Sequence, residues 1–245
     1  VASSDISTWP LLEKISTLNK PVIISTGGAN EKSIDDCVNF FENRNIPLAI
    51  NHCVSLYPSE DSELELNQID YLKSRYPNHI IGFSTHEMND WSNSMLISYG
   101  KGARSWERHI DIDYEEIPVS KYCSLPHQID EWFKAFHKAK EMCGGSISSR
   151  RNVTTKERRY LDELVRGVYA KRKLEKGYIF SSKTFNDDFY LAIPLHKGQL
   201  SCREIINGEN LIQNIEADDK LTINHIDGPY NENESLRKFI LDRGT

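Results

Sequence analysis

The chain has 245 residues, of which 38% are hydrophobic and 27% charged, and a formal net charge of -6 at pH 7. This composition is typical of a folded globular protein and excludes a disordered chain. No apolar run approaches the roughly 20 residues that a membrane-spanning helix needs. The negative charge gives no general attraction to nucleic acid or to anionic lipid, so we expect small molecules or other protein chains as partners.

The cysteines bear on the cellular compartment, and the first residue bears on where the chain begins. The five cysteines are odd in number and form no Cys-x-x-Cys pair: Cys37, Cys53, Cys123, Cys143 and Cys202. Such usage is typical of reduced thiols and predicts a cytoplasmic protein. The first residue is Val1, and no signal-peptide pattern follows it. We therefore expect that the chain begins within a longer protein.

The first part of the chain, residues 1–145, alternates short β-rich runs with helical stretches. This arrangement is typical of parallel βα units in a barrel-like or doubly wound α/β fold. Strands are predicted at residues 21–25, 47–53, 79–84 and 103–109, with residues 1–3 as the remainder of an earlier strand. Asn30 is predicted to cap the helix after the first of these strands. A stripe made by Ile129, Phe133 and Phe136 predicts the last helix of this part.

The rest of the chain has a different pattern. Residues 146–152 are polar, which indicates a linker, and Thr154 and Glu157 have the spacing of a capping box for a helix that continues to Val165. Short β-rich runs broken by turn residues then predict a small β domain, at residues 167–170, 178–180, 189–193 and 220–226. One more helix is predicted at residues 232–243. The predicted divisions are residues 1–145, 146–165, 166–228 and 229–245.

Two histidines are the first indication of chemistry. His86 and His109 each end a short apolar run, which is where a parallel α/β barrel presents its functional side chains. Imidazoles on neighbouring strand ends can share one metal ion, because neutral His is a common ligand of Mn, Fe and Zn. The alternative is that each is an ordinary half-buried histidine hydrogen-bonded to the backbone.

Four blocks of residues occur in the order and spacing of a known family. They read Lys-Pro-Val-Ile-Ile-Ser-Thr-Gly-Gly at 20–28, His-Cys-Val-Ser-Leu-Tyr-Pro at 52–58, Ile-Gly-Phe-Ser-Thr-His at 81–86 and Glu-Arg-His at 107–109. With these blocks the chain resembles the sialic acid (N-acetylneuraminate) synthase family, and most closely its spore-coat polysaccharide biosynthesis members. The resemblance implies the carboxyl-terminal half of a TIM (β/α)8 barrel at residues 1–145 and an antifreeze-like (SAF) domain at residues 166–228.

The resemblance also implies an activity. Members of the family condense phosphoenolpyruvate with an aldose to give a 2-keto-3-deoxy sugar acid, here expected to serve surface polysaccharide biosynthesis. His86 and His109 match the two metal-binding positions, where a divalent ion, Mn²⁺ or else Mg²⁺ or another, polarises the sugar aldehyde. The matched substrate-binding positions are Ser3, Asp5, Ser25, Ser55, Tyr57 and Ser84. A homodimer is implied, in which the SAF domain caps the barrel of the partner.

Several of these positions have a simpler interpretation. A serine at a strand end more often makes a local turn hydrogen bond, and the ring of Tyr57 before Pro58 could simply cover the rim of the barrel. His52 is one residue out of phase with its strand neighbours, so we expect it to pack in the core. Glu87 stands where the family usually has Thr; it is either a third metal ligand or a solvated carboxylate, and we favour the solvated carboxylate.

Two departures from the family bear on the acceptor sugar. Where sialic acid synthases have a Gly-Pro-Asp segment whose Asp binds the sugar, this chain reads Glu-Ile-Pro-Val-Ser-Lys-Tyr at residues 116–122 and lacks the aspartate. The arginine that their SAF domain sends into the partner's site is replaced by Ile193, before Pro194. N-acetylmannosamine is therefore not the expected acceptor, and Lys121 is the one nearby charge that could replace the lost ones.

The resemblance also implies that this sequence lacks the first part of the family's barrel. About the first four barrel strands are missing, with a glutamate that acts on the sugar and lysines that hold phosphoenolpyruvate in the family. We therefore expect this chain alone to be inactive. The competing hypothesis is non-catalytic: a degenerate or truncated relative that binds a sugar or a metal, or that acts as an interaction module.

Overall fold

Four parallel strands form the sheet of the first part of the chain. The computed structural model describes residues 1–114, 116–145, 147–204 and 206–244, without the side chains of Pro229 and Asn231. The strands are β1 (Val22–Ser25), β2 (Leu48–Cys53), β3 (Ile80–Thr85) and β4 (Ser105–Arg108), paired in the order β1-β2-β3-β4. The predicted parallel α/β fold is confirmed, and the sheet is consistent with part of a TIM barrel.

Helices alternate with these strands. They are α1 (Trp9–Ser16), α2 (Glu31–Glu42), α3 (Asn67–Arg75), α4 (Asn93–Lys101) and α5 (Pro126–Cys143). The Asn30 side chain accepts a hydrogen bond of 2.9 Å from the Ser33 N–H, so the predicted cap of α2 is present. In α5 the buried face is Trp132, Ala135 and Ala139, whereas Phe133 is exposed. Of the predicted stripe, Ile129 and Phe136 pack against the cluster of Met95 and Trp132, and only Phe133 is wrong, because Trp132 takes the inward position against Met95 of α4.

The two faces of the sheet differ in character, since neighbouring residues of a strand point to opposite sides. One face carries Ile24, Ile50 and Phe83, which join buried residues of α1, α2 and α3 in the main core. On the opposite face small and polar residues predominate, and its two large apolar side chains, Ile23 and Ile80, are 47% and 55% exposed. The polar face is the one that the candidate site occupies.

The segment before β1 differs from the prediction. Val1 alone pairs with β1, through its amino group on Ile23 O at 2.7 Å and its own carbonyl, which accepts from Ser25 N at 3.1 Å. Residues Ser3–Asp5 then form a 3-10 turn, in which Asp5 N donates to Ala2 O at 3.0 Å. The prediction that residues 1–3 form a strand is wrong, because the turn takes the chain away from the sheet after one paired residue.

The chain divides into two compact units, Val1–Gly145 and Ser146–Thr245. The second contains α6 (Thr155–Leu164), β5 (Gly167–Ala170), α7 (Phe185–Asp188), β6 (Phe189–Ala192), α8 (Pro229–Glu232) and α9 (Glu234–Asp242). Strands β5 and β6 are antiparallel, and a separate core of buried aliphatic residues surrounds Leu174, Leu200 and Leu221. Ser146, where the predicted linker begins, lies outside the described residues.

Several details of the second unit were not predicted correctly. Thr154 caps α6, but the Glu157 carboxylate pairs with Arg151 at 2.6 and 2.7 Å, so only half of the capping box forms. Residues 178–180 and 220–226 make isolated bridges rather than strands, and Ile223–His225 is a 3-10 turn. The predicted terminal helix is two helices, since Asn233 caps α9 with a bond of 3.1 Å from Leu236 N.

From the hydropathy of the sequence we expect no membrane-spanning helix. Among the residues that the structure describes, none of the helices is both long enough and apolar enough to cross a membrane. The SAF identity of the second unit remains a prediction.

Candidate active site

Strand register aligns the polar side chains of the sheet in three rows. Each row crosses the strands at one level of the register. Successive rows lie two residues further along each strand, so the side chains of all rows point to the same face of the sheet. The first row is Ser25, Asn51, Gly82 and Ser105, and the second is Cys53, Ser84 and Glu107. The third, beyond the strand ends, is Ser55, His86 and His109. We call these ten positions, together with Gly27, the polar face of the sheet.

Gly27 completes the second row, since it lies two residues beyond Ser25, and it brings the rows to eleven positions. Close contacts hold the rows together. Ser105 Oγ donates to Asn51 Oδ1 at 2.9 Å, and a Cβ on Gly82 would lie 2.0 Å from the same Asn51 oxygen, so only glycine fits between them. None of the eleven positions is a lysine or an arginine.

The histidine pair lies at the top of this polar face. The ring centroids of His86 and His109 are 5.3 Å apart, with the ring planes inclined at 47°. His86 is buried, and its Nδ1 lies 3.0 Å from Val54 O. A carbonyl oxygen can only accept, so Nδ1 carries the proton and Nε2 keeps its lone pair. Burial lowers the pKa of His86, and the neighbouring His109 lowers it further, which favours the neutral ring.

This geometry fits a shared metal ion. A ligating nitrogen lies about 2.1 Å from the metal, so two imidazoles on one ion have ring centroids within about 6.5 Å of each other. The observed 5.3 Å is inside that limit. Within the described residues, no group of three or more His, Cys, Asp or Glu is placed to hold a metal. Two protein ligands would leave most coordination positions of a divalent ion open to water or substrate.

Two tyrosines border the histidines. The ring centroids of Tyr57 and His86 are 4.1 Å apart. The ring centroid of Tyr122 lies 5.1 Å from that of His109 and 5.3 Å from that of Tyr57. Burial raises the pKa of the Tyr57 hydroxyl, which therefore stays protonated near neutral pH. Tyr122 was missed from the sequence, because it lies in an irregular segment without periodicity; its place after Lys121, near the altered family segment, was the only signal.

The predicted serines fall into separate groups. Ser3 Oγ accepts from Gly27 N at 3.0 Å and contacts Cys53 Sγ at 3.5 Å, and Ser55 Oγ lies 4.0 Å from the same sulfur. The structure thus brings Ser3 and Ser55 together around Gly27. Ser25 is buried one row lower, and Ser84 donates to Glu107 Oε1 at 3.1 Å.

Asp5 takes part in local hydrogen bonds at the start of the chain. Its carboxylate accepts from the hydroxyl groups of Ser4 and Thr8 at 3.4 and 3.3 Å, within and just after the first 3-10 turn. The structure therefore places Asp5 beside its own turn, whereas Ser3 of the same turn reaches Gly27. A role of Asp5 in binding substrate stays a prediction.

The sequence also predicts the surroundings of His52 and Glu87. His52 packs in the core as expected, with its Nε2 2.8 Å from Leu64 O and its ring stacked on Phe83. The interpretation of Glu87 as a solvated carboxylate is wrong, because this side chain is 1% exposed and its Oε1 lies 3.1 Å from Arg108 Nη1. A partner of opposite charge is what allows a carboxylate to be buried.

Parallel strands with polar side chains at their carboxyl ends are the arrangement of α/β barrel enzymes. Comparison with known proteins agrees with this class. Residues 1–148 match the model of the NeuB family, more than half of the chain. The chain belongs to the NeuB family.

Relatives in this family carry synthase and polysaccharide biosynthesis names. N-acetylneuraminate-9-phosphate synthase from Drosophila melanogaster is 35% identical over 132 residues, which cover 52% of this chain and 34% of the relative. Spore coat polysaccharide biosynthesis protein SpsE from Bacillus subtilis is 27% identical over 194 residues, 74% of this chain and 52% of the relative. The chain spans about half the length of the curated relatives it matches, or less.

A solved structure extends the likeness over most of the chain. It is that of a protein described as spore coat polysaccharide biosynthesis protein E, from Chromobacterium violaceum. The two structures superpose with a TM-score of 0.83 at 31% sequence identity, covering 93% of this chain and 67% of the other. The resemblance inferred from the four sequence blocks is thus confirmed at the level of the family.

Proposed function

We propose that the intact protein condenses phosphoenolpyruvate with an aldose to give a 2-keto-3-deoxy sugar acid for surface polysaccharide biosynthesis. The observation that carries the proposal is the pair His86 and His109, with ring centroids 5.3 Å apart at the ends of adjacent parallel strands. The synthase names of family members support the reaction class.

His86 and His109 are the residues that would hold a divalent metal, for which Mn²⁺ is our first choice and Mg²⁺ or another divalent ion the alternative. When bound, such an ion polarises a carbonyl oxygen as a Lewis acid. The protein's own contribution is to fix the ligands. The bond from His86 Nδ1 to Val54 O sets the ring orientation and directs the Nε2 lone pair away from the backbone.

The serine group around Gly27 would receive the anionic groups of phosphoenolpyruvate. Ser3 and Ser55 supply hydroxyl groups there, Ser84 lies in the same row as Gly27, and Ser25 lies one row below. Gly28, which has φ of 70°, lies two residues before Asn30, the cap of α2, and a helix N-terminus favours negative charge. Hydroxyl and backbone donors of this kind can bind a phosphate or carboxylate without a full positive charge.

The tyrosines would bind the sugar. Tyr57 is about half exposed, at 49%, and its ring already lies against His86, so a sugar ring could pack against its open face. Asp5 is proposed to bind a sugar hydroxyl at the rim. Ser120 and Ile193 cannot supply the charges that an Asp and an Arg supply to N-acetylmannosamine in sialic acid synthases, and we therefore propose a different aldose as acceptor.

The remaining parts of the proposal concern assembly and location. The second unit, with its separate core, is proposed to be an SAF domain that caps the barrel of the partner in a homodimer. The cytoplasm is the proposed compartment, in line with the five cysteines that remain unpaired.

The test is an assay of the intact protein with Mn²⁺, phosphoenolpyruvate and a panel of aldoses that includes N-acetylmannosamine. We expect phosphate release that requires both substrates and is abolished by a chelator, with N-acetylmannosamine among the poor acceptors. If N-acetylmannosamine is the best acceptor by a wide margin, the inference from Ser120 and Ile193 is wrong.

A second candidate function is binding without turnover. The observation that favours it is the absence of lysine and arginine from the eleven positions of the polar face, since phosphoenolpyruvate carries both a phosphate and a carboxylate. In that case the intact protein would bind a metal or a sugar in calorimetric titrations but release no phosphate with any aldose of the panel. Phosphate release would exclude this second candidate.

A further inference from the structure

A buried ion pair lies directly behind the two histidines. Glu87 directly follows His86 in the chain, and Arg108 directly precedes His109. The side chains of Glu87 and Arg108 are each only 1% exposed. Glu87 Oε1 lies 3.1 Å from Arg108 Nη1, and Arg108 Nη2 donates to the backbone carbonyl of Glu87. The guanidinium therefore binds both the side chain and the main chain of the residue next to His86.

The pair lies on the opposite side of the sheet from the histidines. Arg108 is the last residue of β4, where it pairs with Thr85 of β3, and neighbouring residues of a strand point to opposite faces. Beyond the end of β3 the chain stays extended, because Glu87 forms a parallel bridge with Ser59. Any shift of Glu87 relative to Arg108 is thus transmitted through one peptide unit on each strand to His86 and His109.

Further hydrogen bonds anchor the ion pair to the surrounding elements. Ser94 of α4 donates its hydroxyl to Glu87 Oε1, and Arg108 Nε donates to Ser124 Oγ. Ser124 is fully buried; it also accepts from Trp91 Nε1 at 2.9 Å, and its N–H donates to His109 O at 2.9 Å. The backbone of the second histidine is therefore held by the same network that binds Arg108.

Stability alone does not account for such a pair. Burying two charges costs solvation free energy that their attraction often fails to recover, and well-packed apolar residues in the same place are commonly as stable or more stable. What this ion pair adds is direction, because the guanidinium also donates to the Glu87 carbonyl and to Ser124 Oγ, which fixes its orientation toward the carboxylate. A pair that joins the ends of two strands is suited to fixing the distance between them.

We propose that Glu87 and Arg108 are positioning residues, which set the separation and orientation of His86 and His109 for a shared divalent metal. The inference rests on the proposed function, because it requires the metal site. It explains why a carboxylate next to a metal-binding histidine is fully buried: the carboxylate acts from behind the site and is not itself a ligand.

The test compares Mn²⁺ affinity with stability in the intact protein. The first variant is Glu87→Gln, which keeps the shape of the side chain and removes its charge. The second variant changes Glu87→Met together with Arg108→Met, which leaves no charge unpaired and is expected to fold even if the first is unstable. The matched control is Glu204→Gln, which breaks the buried pair of Glu204 with Arg243, whose side chains are 6% and 3% exposed, in the other unit.

The readouts are Mn²⁺ binding by titration, the visible absorption spectrum of bound Co²⁺, which reports ligand geometry, and thermal unfolding without metal. We expect the Glu87 variants to bind Mn²⁺ roughly 10- to 100-fold more weakly and to alter the Co²⁺ spectrum, as loss of groups that orient metal ligands does elsewhere. The Glu204 variant should lose thermal stability but bind both metals as the wild type does.

Two results would overturn the inference. If the double Met variant folds and binds Mn²⁺ with wild-type affinity and an unchanged Co²⁺ spectrum, the ion pair has only a structural role, and the proposed function stands. If the wild-type protein binds no divalent metal at all, the metal site of the proposed function fails and this inference fails with it.

Discussion

His52 and His86 lie at the carboxyl ends of neighbouring strands and are both buried, but their rings are used differently. His52 faces the helices, where its Nε2 meets Leu64 O at 2.8 Å. His86 faces the polar side, where its Nδ1 meets Val54 O at 3.0 Å and leaves Nε2 directed toward the site. The register of the strands decides the difference: His52 is level with Phe83, whereas His86 lies two residues beyond Ser84, and neighbouring residues of a strand point to opposite faces of the sheet.

This difference predicts distinct effects of three substitutions. His86→Ala and His109→Ala should each reduce Mn²⁺ affinity by at least about 100-fold, because each removes one of two protein ligands. His52→Ala should leave the affinity unchanged and lower the free energy of unfolding by about 1–3 kcal/mol, since Leu64 O loses its buried donor. Binding is measured by titration and stability by urea unfolding. Equal losses of affinity in all three variants would indicate general unfolding and not ligand removal.

Gly27 provides a second test at a single residue. A Cβ at this position would lie 2.1 Å from Ser55 Oγ and 2.9 Å from Ser3 Oγ, so Gly27→Ala must displace both hydroxyl groups. We expect the KM for phosphoenolpyruvate to rise by about tenfold, which corresponds to about 1.4 kcal/mol of lost binding. The control is Gly100→Ala in α4, where an added Cβ has no neighbour within 4 Å. That control should keep the KM and gain about 0.5–1 kcal/mol of stability; an unchanged KM in Gly27→Ala would contradict the placement of the anion.

At the scale of elements, one carboxylate joins two helices of the first unit. Asp35 of α2 accepts from Arg75 of α3 through Nε at 3.0 Å and Nη2 at 2.5 Å, and from the Tyr76 hydroxyl at 2.6 Å. The hydrogen bond from Arg75 is the main cause that lowers the pKa of Asp35, and the bond from Tyr76 lowers it further. The charged form of Asp35 is therefore the one that links α2 to α3.

A pH dependence of stability follows from this link. A carboxyl group whose pKa is lower in the folded than in the unfolded protein stabilises the fold above its ordinary pKa of about 3.9, and that contribution is lost as the pH falls through the folded value. Asp35→Asn should thus cost about 1 kcal/mol or less at pH 7, as for other partly exposed pairs. Urea unfolding at pH 7 and pH 3 should show the difference from wild type shrinking at pH 3. A difference that is equal at both pH values would contradict the role of the Asp35 charge.

At the scale of the whole molecule, the two units have separate cores. The cluster around Ile24, Ile50 and Phe83 belongs to the first, and the cluster around Leu174, Leu200 and Leu221 belongs to the second. Between the last helix of the first unit and α6 the chain is exposed at residues 147–152. Each core contains only residues of its own unit, as expected for units that fold separately.

Limited proteolysis should reveal this organisation. Arg150 and Arg151 are exposed and outside helices and strands, so trypsin is expected to cleave there first and to leave two resistant fragments, one for each core. Cleavage after Arg150 should predominate, because Arg151 is paired with Glu157. Mass spectrometry identifies the fragments, and Arg150→Gln with Arg151→Gln should slow the first cut. Initial cleavage inside either core, for example after Lys73, would contradict the division.

Local patterns of the sequence were sufficient for the four paired strands of the first unit, for the cap of α2 and for the positions of the two histidines at strand ends. The period of two in the strands, the Asn30 cap and the ends of the apolar runs at His86 and His109 involve residues close together in the chain, so their consequences can be predicted without the fold. The same reasoning was weaker in the second unit, where residues 178–180 and 220–226 form isolated bridges to distant segments. Such short pairings depend on partners that the local pattern does not identify.

The tertiary structure alone decided which side chains meet. Tyr122 reaches His109 from an irregular segment, and Trp132 rather than Phe133 turns inward because Met95 of α4 lies opposite. Glu87, which looked solvated in the sequence, is buried because Arg108 reaches it from the next strand, 21 residues further along the chain. The free energy of burying a charge is set by its partner, and a partner supplied by another strand can be identified only once the strands are in register.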